Sequence, residues 1–202
     1  MPFGIMAGRW RMPLQARVPQ GTARGFSLVE LMITLAVAAI LTLIAVPSFS
    51  NMINSNRLTT ATNAMVGALN SARMEAIKRN GSVQFCSNAA ATNTSDTLGT
   101  ACATNAGAVF VLTGTTATQL LAAPSALSIP SIQVRGTVAA IRFNGTGLGY
   151  APGSTTPFDT TTTGNAVVEL CSTALKSNND IKVNMATGSI ITSSSPATVT
   201  CP

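Results

Sequence analysis

The strongest pattern in the chain is an uninterrupted apolar stretch near its N-terminus. Phe26 to Val46 form a run of 21 residues that contains one charged side chain, Glu30. A helix of that length spans roughly 30 Å, which is the hydrocarbon thickness of a bilayer. An ionised carboxylate inside such a helix costs free energy unless it finds a partner. The pattern therefore predicts a membrane-spanning helix in which Glu30 acquires its partner when the protein assembles with other subunits.

Basic residues flank this run on its N-terminal side. Four arginines precede it without any acidic residue, and the next basic residue after it is Arg57. By the positive-inside rule, the N-terminal segment stays in the cytoplasm and the rest of the chain crosses the membrane. Pro47, directly after the run, disfavours an ordinary signal-peptide cut there. Cleavage after Gly25 would keep the apolar helix on the mature protein; the alternative is a plain single-pass anchor with an incidental Glu30.

A second helical pattern follows the apolar run. Between residues 48 and 79, apolar residues recur at steps of three and four, which predicts a helix with one buried stripe. Asn80 and Gly81 are expected to end it, since glycine accepts the left-handed geometry of a helix terminus. Pro47 is expected to kink or loosen the helix. The predicted stripe consists of Leu58, Ala61, Met65, Ala68, Leu69, Ala72 and Ala76.

Beyond Gly81 the pattern changes to short strands separated by turn residues. Turns are predicted at 144–147 and 186–188, and loops at 87–107 and 151–165. A long N-terminal helix packed on a C-terminal antiparallel β-sheet domain is the α+β architecture that this order favours. The predicted strands are 82–86, 108–113, 118–122, 131–135, 137–143, 147–150, 166–171, 180–185, 188–192 and 197–201.

Apart from indicating the orientation of the anchor in the membrane, the charge of the chain says little about its function. The formal net charge is +6, but four of the twelve basic residues precede Gly25, which leaves eight basic and six acidic side chains. The basic balance of the whole chain is therefore not an argument for nucleic-acid binding. After the anchor about 155 residues remain, enough for one compact domain. Sparse charge with abundant Thr, Ser and Asn suits an extracellular β-rich fold.

Four cysteines lie in the part that is predicted to leave the cytoplasm, where disulfides persist. They allow three pairings. We favour Cys86–Cys102 and Cys171–Cys201, because each pair encloses a polar loop or a terminal hairpin, and free buried cysteines are the alternative. Each bond is expected to contribute on the order of 3 kcal/mol in the chain-entropy model.

No enzymatic chemistry is indicated. The chain has no histidine, so the arrangements in which a histidine activates a serine or cysteine nucleophile are excluded, and a zinc site is not expected. The six acidic residues are scattered without a close pair. Gly145, Gly147 and Gly149 alternate in a strand context and lack the helix and lysine of a phosphate loop, so they are expected to serve turns or close backbone contacts. No cofactor or metal is predicted.

The segment Gly25-Phe26-Ser27-Leu28-Val29-Glu30 resembles the class III signal of type IV pilins and type II secretion pseudopilins. The resemblance implies that prepilin peptidase cuts between Gly25 and Phe26 and methylates the new Phe26 amine. It also implies that Glu30 pairs with the N-terminal amine of a neighbouring subunit. The chain would then comprise a cytoplasmic leader at 1–25, a transmembrane or filament-core helix at 26–46, its amphipathic continuation at 47–80 and a β-rich head at 81–202.

Within that superfamily, the chain is most similar to FimT/GspH-type minor pilins and pseudopilins. The similarity is carried by the helix end 69–80 and by the segment 141–147, Ile-Arg-Phe-Asn-Gly-Thr-Gly. It implies a minor subunit that helps to prime or cap a filament, of a type IV pilus or of type II secretion. The implied partners are other pilins or pseudopilins and the inner-membrane assembly platform. The implied location is a single-pass inner-membrane anchor with a periplasmic head, and then a filament.

A second function follows from the same resemblance, because some FimT-like pilins bind DNA for natural transformation. Their binding is associated with a Gly-Arg-x-Arg element near the C-terminus, whereas this chain reads Gly188-Ser189-Ile190-Ile191 there and has no arginine after residue 142. Aromatic side chains for base stacking are few. The candidate DNA contacts are Arg135, Arg142, Lys176 and Lys182, and solvated surface charges are the alternative for each.

Overall fold

The computed structural model describes residues 25–88, 96–103 and 105–201. The predicted leader, apart from Gly25, lies outside these residues. The chain divides into two compact units, Met1–Leu43 and Ile44–Pro202, here called the N-terminal and C-terminal units. One helix, α1 (Leu28–Arg79), belongs to both and continues through Pro47. The kink expected at this proline stays a prediction.

The buried stripe of α1 lies in the C-terminal unit and confirms the helical periodicity. All seven predicted positions are at most 1% exposed. Thr62 is also buried, and its hydroxyl donates a hydrogen bond of 2.9 Å to the carbonyl of Leu58. A polar side chain is tolerated on the stripe because the backbone of the preceding turn satisfies it.

The end of α1 differs in detail from the prediction. The left-handed residue is Asn80, with a φ of 47°, and Gly81 follows it. The N–H of Gly81 donates to the carbonyl of Ala76 at 3.1 Å, and the N–H of Asn80 donates to that of Ile77 at 3.2 Å. These two bonds form a Schellman motif, which satisfies carbonyls that the end of the helix would leave unpaired.

Two antiparallel sheets complete the C-terminal unit and confirm the α+β fold. The first has the strand order β3-β2-β1-β5-β6, and the second has the order β4-β7-β8-β9. The strand that follows α1 along the chain, β1, is therefore central in its sheet. In the described part of the chain the strands are β1 Val83–Cys86, β2 Val109–Thr113, β3 Thr116–Leu121, β4 Ile132–Arg135, β5 Ala140–Phe143, β6 Gly149–Tyr150, β7 Val168–Ser172, β8 Asp180–Ala186 and β9 Ile190–Ser193.

The main core joins α1 to both sheets. Its members include Met65 and Leu69 from the helix, Phe85 and Phe143 from the first sheet, and Leu170 from the second, all fully buried. A smaller cluster covers the other face of β1 and includes Cys86, Cys102 and Phe110. Because β1 is covered on both faces, all four of its residues are buried, Gln84 among them.

Three predictions about the remaining segments are wrong. The residues 197–201 do not form a strand, and only Ala197 pairs there, in an isolated bridge with Asp180. The predicted loops at 87–107 and 151–165 contain short helices, α2 (Thr97–Cys102) and α3 (Thr160–Thr163). Aspartates cap both: Asp96 accepts from the N–H of Gly99 at 2.8 Å, and Asp159 accepts from the N–H of Thr161 at 2.8 Å. A 3-10 helix, Ser125–Ser128, also lies between β3 and β4.

The predicted glycine contacts are present in the turn between β5 and β6. A Cβ at Gly145 would lie 3.0 Å from the Cα and carbonyl carbon of Asn80, closer than packed side chains normally approach. A Cβ at Gly147 would lie 2.7 Å from Ile77, and Gly147 has a φ of 78°. This turn therefore sits directly against the last turn of α1 and requires residues without a side chain.

Candidate functional site

The N-terminal motif begins a helix that is capped by its own sequence. Ser27 precedes α1, and its Oγ accepts a hydrogen bond of 3.1 Å from the N–H of Glu30. This is half of a capping box, in which a serine and a glutamate three residues later share a helix start. The Ser-x-x-Glu spacing could have revealed this role for Ser27. The cap holds Glu30 in the first turn of α1, four residues after Phe26.

The N-terminal unit offers only exposed side chains, from Gly25 to Leu43. Phe26 is 78% exposed, and Leu35 and Leu41 are each more than 60% exposed. Within the described residues, α1 is the one helix that is long and apolar enough to cross a membrane. Such a surface needs lipid or the apolar helices of neighbouring subunits around it.

Two of the four candidate DNA contacts share one carboxylate on the second sheet. Arg135 in β4 and Lys182 in β8 both flank Glu169 in β7, each with a nitrogen 3.7 Å from its Oε1. The strand register places these residues opposite one another: Arg135 pairs with Glu169, and Glu169 pairs with Lys182. Glu169 therefore offsets one of the two positive charges, which reduces the attraction of this pair for phosphate.

Arg142 is held more firmly. Its guanidinium forms two hydrogen bonds with Asp96, of 2.7 and 2.9 Å, and donates to the side-chain oxygen of Gln84. The amide of Gln84 in turn donates to the carbonyl of Leu98 at 3.0 Å. Since Asp96 caps α2, this network ties β5 and β1 to α2. Arg142 therefore has a structural role in the C-terminal unit, which no local sequence signal indicated.

The pKa of Asp96 makes this network sensitive to acid. The hydrogen bonds from Arg142 lower the pKa of the Asp96 carboxyl to about 2. An aspartate titrates near 3.9 in an unfolded chain, so the stabilisation is present above about pH 4 and is lost as the pH falls towards 2.

Asp96→Asn keeps an oxygen for capping α2 but removes the charge, and we expect it to flatten the dependence of unfolding free energy on pH in this window. At neutral pH the loss should be at most about 1 kcal/mol, because Asp96 is partly exposed and solvent screens the pair. Urea unfolding at a series of pH values measures both effects. An unchanged slope between pH 4 and pH 2 would show that Asp96 does not carry this dependence.

Lys176 differs from the other three cations. It lies in the connection between β7 and β8, is exposed, and forms no ion pair with any described residue. Arg135, Arg142, Lys176 and Lys182 thus do not act as one free basic patch, because three of them already face carboxylates.

The structure also contains polar groups that the sequence did not single out. Arg73, on α1, donates a hydrogen bond of 2.9 Å to the carbonyl of Ser189, which joins the helix to the turn between β8 and β9. Asp180, at the start of β8, is fully buried. Burial, with a smaller contribution from the charge of Glu169, raises the pKa of the Asp180 carboxyl above its usual value. The contact of Arg73 joins residues that are 116 positions apart in the chain, so no local sequence pattern could indicate it.

The four cysteines form two disulfides, Cys86–Cys102 and Cys171–Cys201. The first joins β1 to the last residue of α2. The second holds the segment after β9 against β7. Asn179 also binds this segment, since its amide donates to the carbonyl of Val199 and its side-chain oxygen accepts from the N–H of Val199, both at 2.9 Å.

Two sequence families match the chain. The prokaryotic N-terminal methylation motif matches residues 22–46, which include Gly25, Phe26, Glu30 and the whole apolar run. The family described as Type II transport protein GspH matches residues 61–188, more than half of the chain. Neither a curated protein nor a solved structure matches it.

The two family matches cover two different parts of the structure, the apolar start of α1 and the part that contains the buried stripe and the sheets. The methylation motif coincides with the capped, exposed apolar start of α1. The GspH match begins on the buried stripe of the same helix, ends in the turn before β9 and contains both sheets except for that strand. The chain therefore belongs to the GspH family and is a pilin-like minor subunit of a type IV filament system.

Proposed function

We propose that this chain is a membrane-anchored minor subunit that helps to prime or cap a filament, in type II secretion or in a type IV pilus. Prepilin peptidase removes residues 1–25 and methylates the amine of Phe26. The anchor lies in the inner membrane with residues 81–202 in the periplasm, and the assembly platform draws the subunit into the filament. Membership of a structural rather than an enzymatic family supports this role.

The observation that carries the proposal is the placement of Glu30. It lies in the first turn of a helix whose described side chains are all exposed as far as Leu43, and it forms no ion pair with any described residue. When such a helix enters an apolar filament core, the carboxylate requires a cation at its own depth. The methylated amine of a neighbouring subunit supplies one, and this pairing sets the axial register between the two helices.

Glu30→Ala is expected to insert normally into the membrane but to enter filaments three- to twentyfold less, which is about the effect of losing one polar contact between membrane helices. Glu75→Ala is a matched control, because Glu75 is an acid on the same helix whose partners, Lys78 and Arg79, are local. Subunit content is measured by quantitative mass spectrometry of sheared filaments, and insertion by membrane fractionation. Equal incorporation of the Glu30→Ala variant and the wild type would contradict the register argument.

The same mass spectrometry tests processing, because the mature N-terminus should be a methylated Phe26. A chain that retains residues 1–25 in cells containing prepilin peptidase would overturn the proposal as a whole, whichever way the Glu30 variant behaves.

The second function considered from the sequence, DNA capture, gains no support from the fold. Arg135 and Lys182 face Glu169, and Arg142 is bound to Asp96. Lys176 is the remaining candidate contact, and a single exposed lysine is a weak basis for binding a polyanion.

A further inference from the structure

A groove of about 490 Å³ lies in the C-terminal unit, beside the part of α1 that follows the apolar run. One wall is the helix, with Pro47, Asn51 and Ser55. The other wall is the connection between β7 and β8, which includes Lys176 and Asn178. Amides, hydroxyls and one ammonium group line this cleft together with the apolar side chains of Met52, Ala174 and Leu175, and the cleft begins directly after the predicted membrane span.

The position of the groove along α1 places it at a defined depth. The apolar run ends at Val46, and Pro47 is the next residue of the same helix. The polar headgroup layer is roughly 5–8 Å thick on each side of the hydrocarbon core. At about 1.5 Å per residue, Asn51 lies about 7.5 Å beyond Val46. The start of the groove is therefore level with the phospholipid headgroups.

The charges around the groove favour an anion. Lys176 forms no ion pair within the described chain, and among the described residues no carboxylate lines the groove. Along α1, no acidic residue occurs between Glu30 and Glu75. The side chain of Asn51 provides a neutral donor on the opposite wall, and the hydroxyl of Ser177 lines the groove next to Lys176. An ammonium with nearby amide and hydroxyl donors is a suitable set for phosphate oxygens.

We propose that this groove binds the phosphate of an anionic phospholipid from the membrane that holds the apolar run, with Lys176 as the cation and Asn51 as a donor. The inference rests on the membrane-anchored state proposed above. It gives Lys176 a ligand other than DNA, and it ties the connection between β7 and β8 to the membrane surface while the subunit awaits assembly. A lysine near an anionic bilayer strengthens such a contact about fivefold.

The three lysines of the chain, Lys78, Lys176 and Lys182, allow an internally controlled test. The full chain is inserted into nanodiscs of phosphatidylcholine alone, or of phosphatidylcholine mixed with phosphatidylglycerol. Acetylation of each lysine is followed by mass spectrometry. We expect phosphatidylglycerol to slow acetylation of Lys176 about fivefold, to leave Lys78 and Lys182 unchanged, and to lose its effect at high salt.

Lipid retention is the second measurement. Native mass spectrometry of the chain released from mixed nanodiscs should show that Lys176→Gln retains phosphatidylglycerol about fivefold less than the wild type. Arg57→Gln is the matched control, because it removes one exposed positive charge on α1 about 16 Å beyond Val46, outside the headgroup layer. The Arg57→Gln variant should retain as much phosphatidylglycerol as the wild type does. The arginines that precede the span are present in both variants and in the wild type, so they do not contribute to the difference.

Three results would overturn the proposal. Equal acetylation of Lys176 in both lipid mixtures would show that the groove does not sense anionic lipid. An equal loss of lipid in the Lys176→Gln and Arg57→Gln variants would show a general charge effect. Protection of Lys176 by inorganic phosphate in phosphatidylcholine nanodiscs, to the same degree as by phosphatidylglycerol, would indicate a soluble anion as the ligand. Failure of the chain to enter nanodiscs at all would instead contradict the anchored state.

Discussion

Gly145→Val is expected to lower the free energy of unfolding of the C-terminal unit by about 3 kcal/mol, through overpacking. Gly145 faces the backbone of Asn80, and a Cβ there would lie 3.0 Å from two of its backbone carbons. Backbone cannot move aside as the end of a flexible side chain can. The turn between β5 and β6 would have to leave the end of α1, and the packing of the sheet on the helix would be disturbed.

The measurement is urea unfolding of the chain in detergent micelles, followed by circular dichroism. Gly67→Ala is the control, because Gly67 is exposed within α1 and a Cβ there would meet no atom within 4 Å. Alanine in a helix is more favourable than glycine by roughly 0.5–1 kcal/mol, so this variant should be more stable than the wild type. A Gly145→Val variant that unfolds at the same urea concentration as the wild type would show that the contact is not required.

Removal of the Cys171–Cys201 disulfide is the second large effect. The bond closes a loop with a sequence separation of 30 residues. In the chain-entropy model, its loss as a double serine variant should cost between about 3 and 4 kcal/mol. The double serine variant of Cys86 and Cys102, whose sequence separation is 16, should cost slightly less.

Hydrogen exchange distinguishes a local from a global effect of this change. The segment after β9 is held by the backbone pair of Asp180 with Ala197 and by the side chain of Asn179, in addition to the disulfide. Loss of the disulfide should speed the exchange of the amides of Ala197 and Val199, relative to the wild type, more than it speeds the exchange of the β1 amides. Unchanged protection of Ala197 and Val199 would show that these hydrogen bonds alone hold the segment.

Periodic burial made much of the fold predictable from the sequence. The stripe on α1 and nine of the ten predicted strands correspond to elements of the structure, and all of these strands except the two-residue β6 contribute side chains to the main core or pack against it. The turn at 144–147 was predictable from its glycines. The disulfide pairs in the structure are also those that the spacing of Cys86, Cys102, Cys171 and Cys201 favoured.

The remaining features depend on partners that are distant in sequence. Helix α2 has six residues, too few to show a periodic pattern, and its cap Asp96 is fixed by Arg142. The segment 197–201 has the composition of a strand, yet the side chain of Asn179 satisfies the backbone of Val199 in place of a neighbouring strand. A local pattern contains no information about either contact.

The basic residues illustrate the same limit for function. From the sequence, Arg135, Arg142 and Lys182 are equivalent to Lys176 as surface cations. The strand register decides otherwise, since it sets Glu169 between Arg135 and Lys182. Only the fold separates the cations that hold the C-terminal unit together from the one that is available to a ligand.

The central position of β1 has a mechanical consequence. This strand begins four residues after the end of α1 and is bonded on both sides, to β2 and to β5. Tension transmitted along the helix of an assembled fibre would enter the sheet at its middle rather than at an edge. Two hydrogen-bonded neighbours would then share the pull, so the fold is expected to resist extraction of this strand better than peeling of the outermost strand β3.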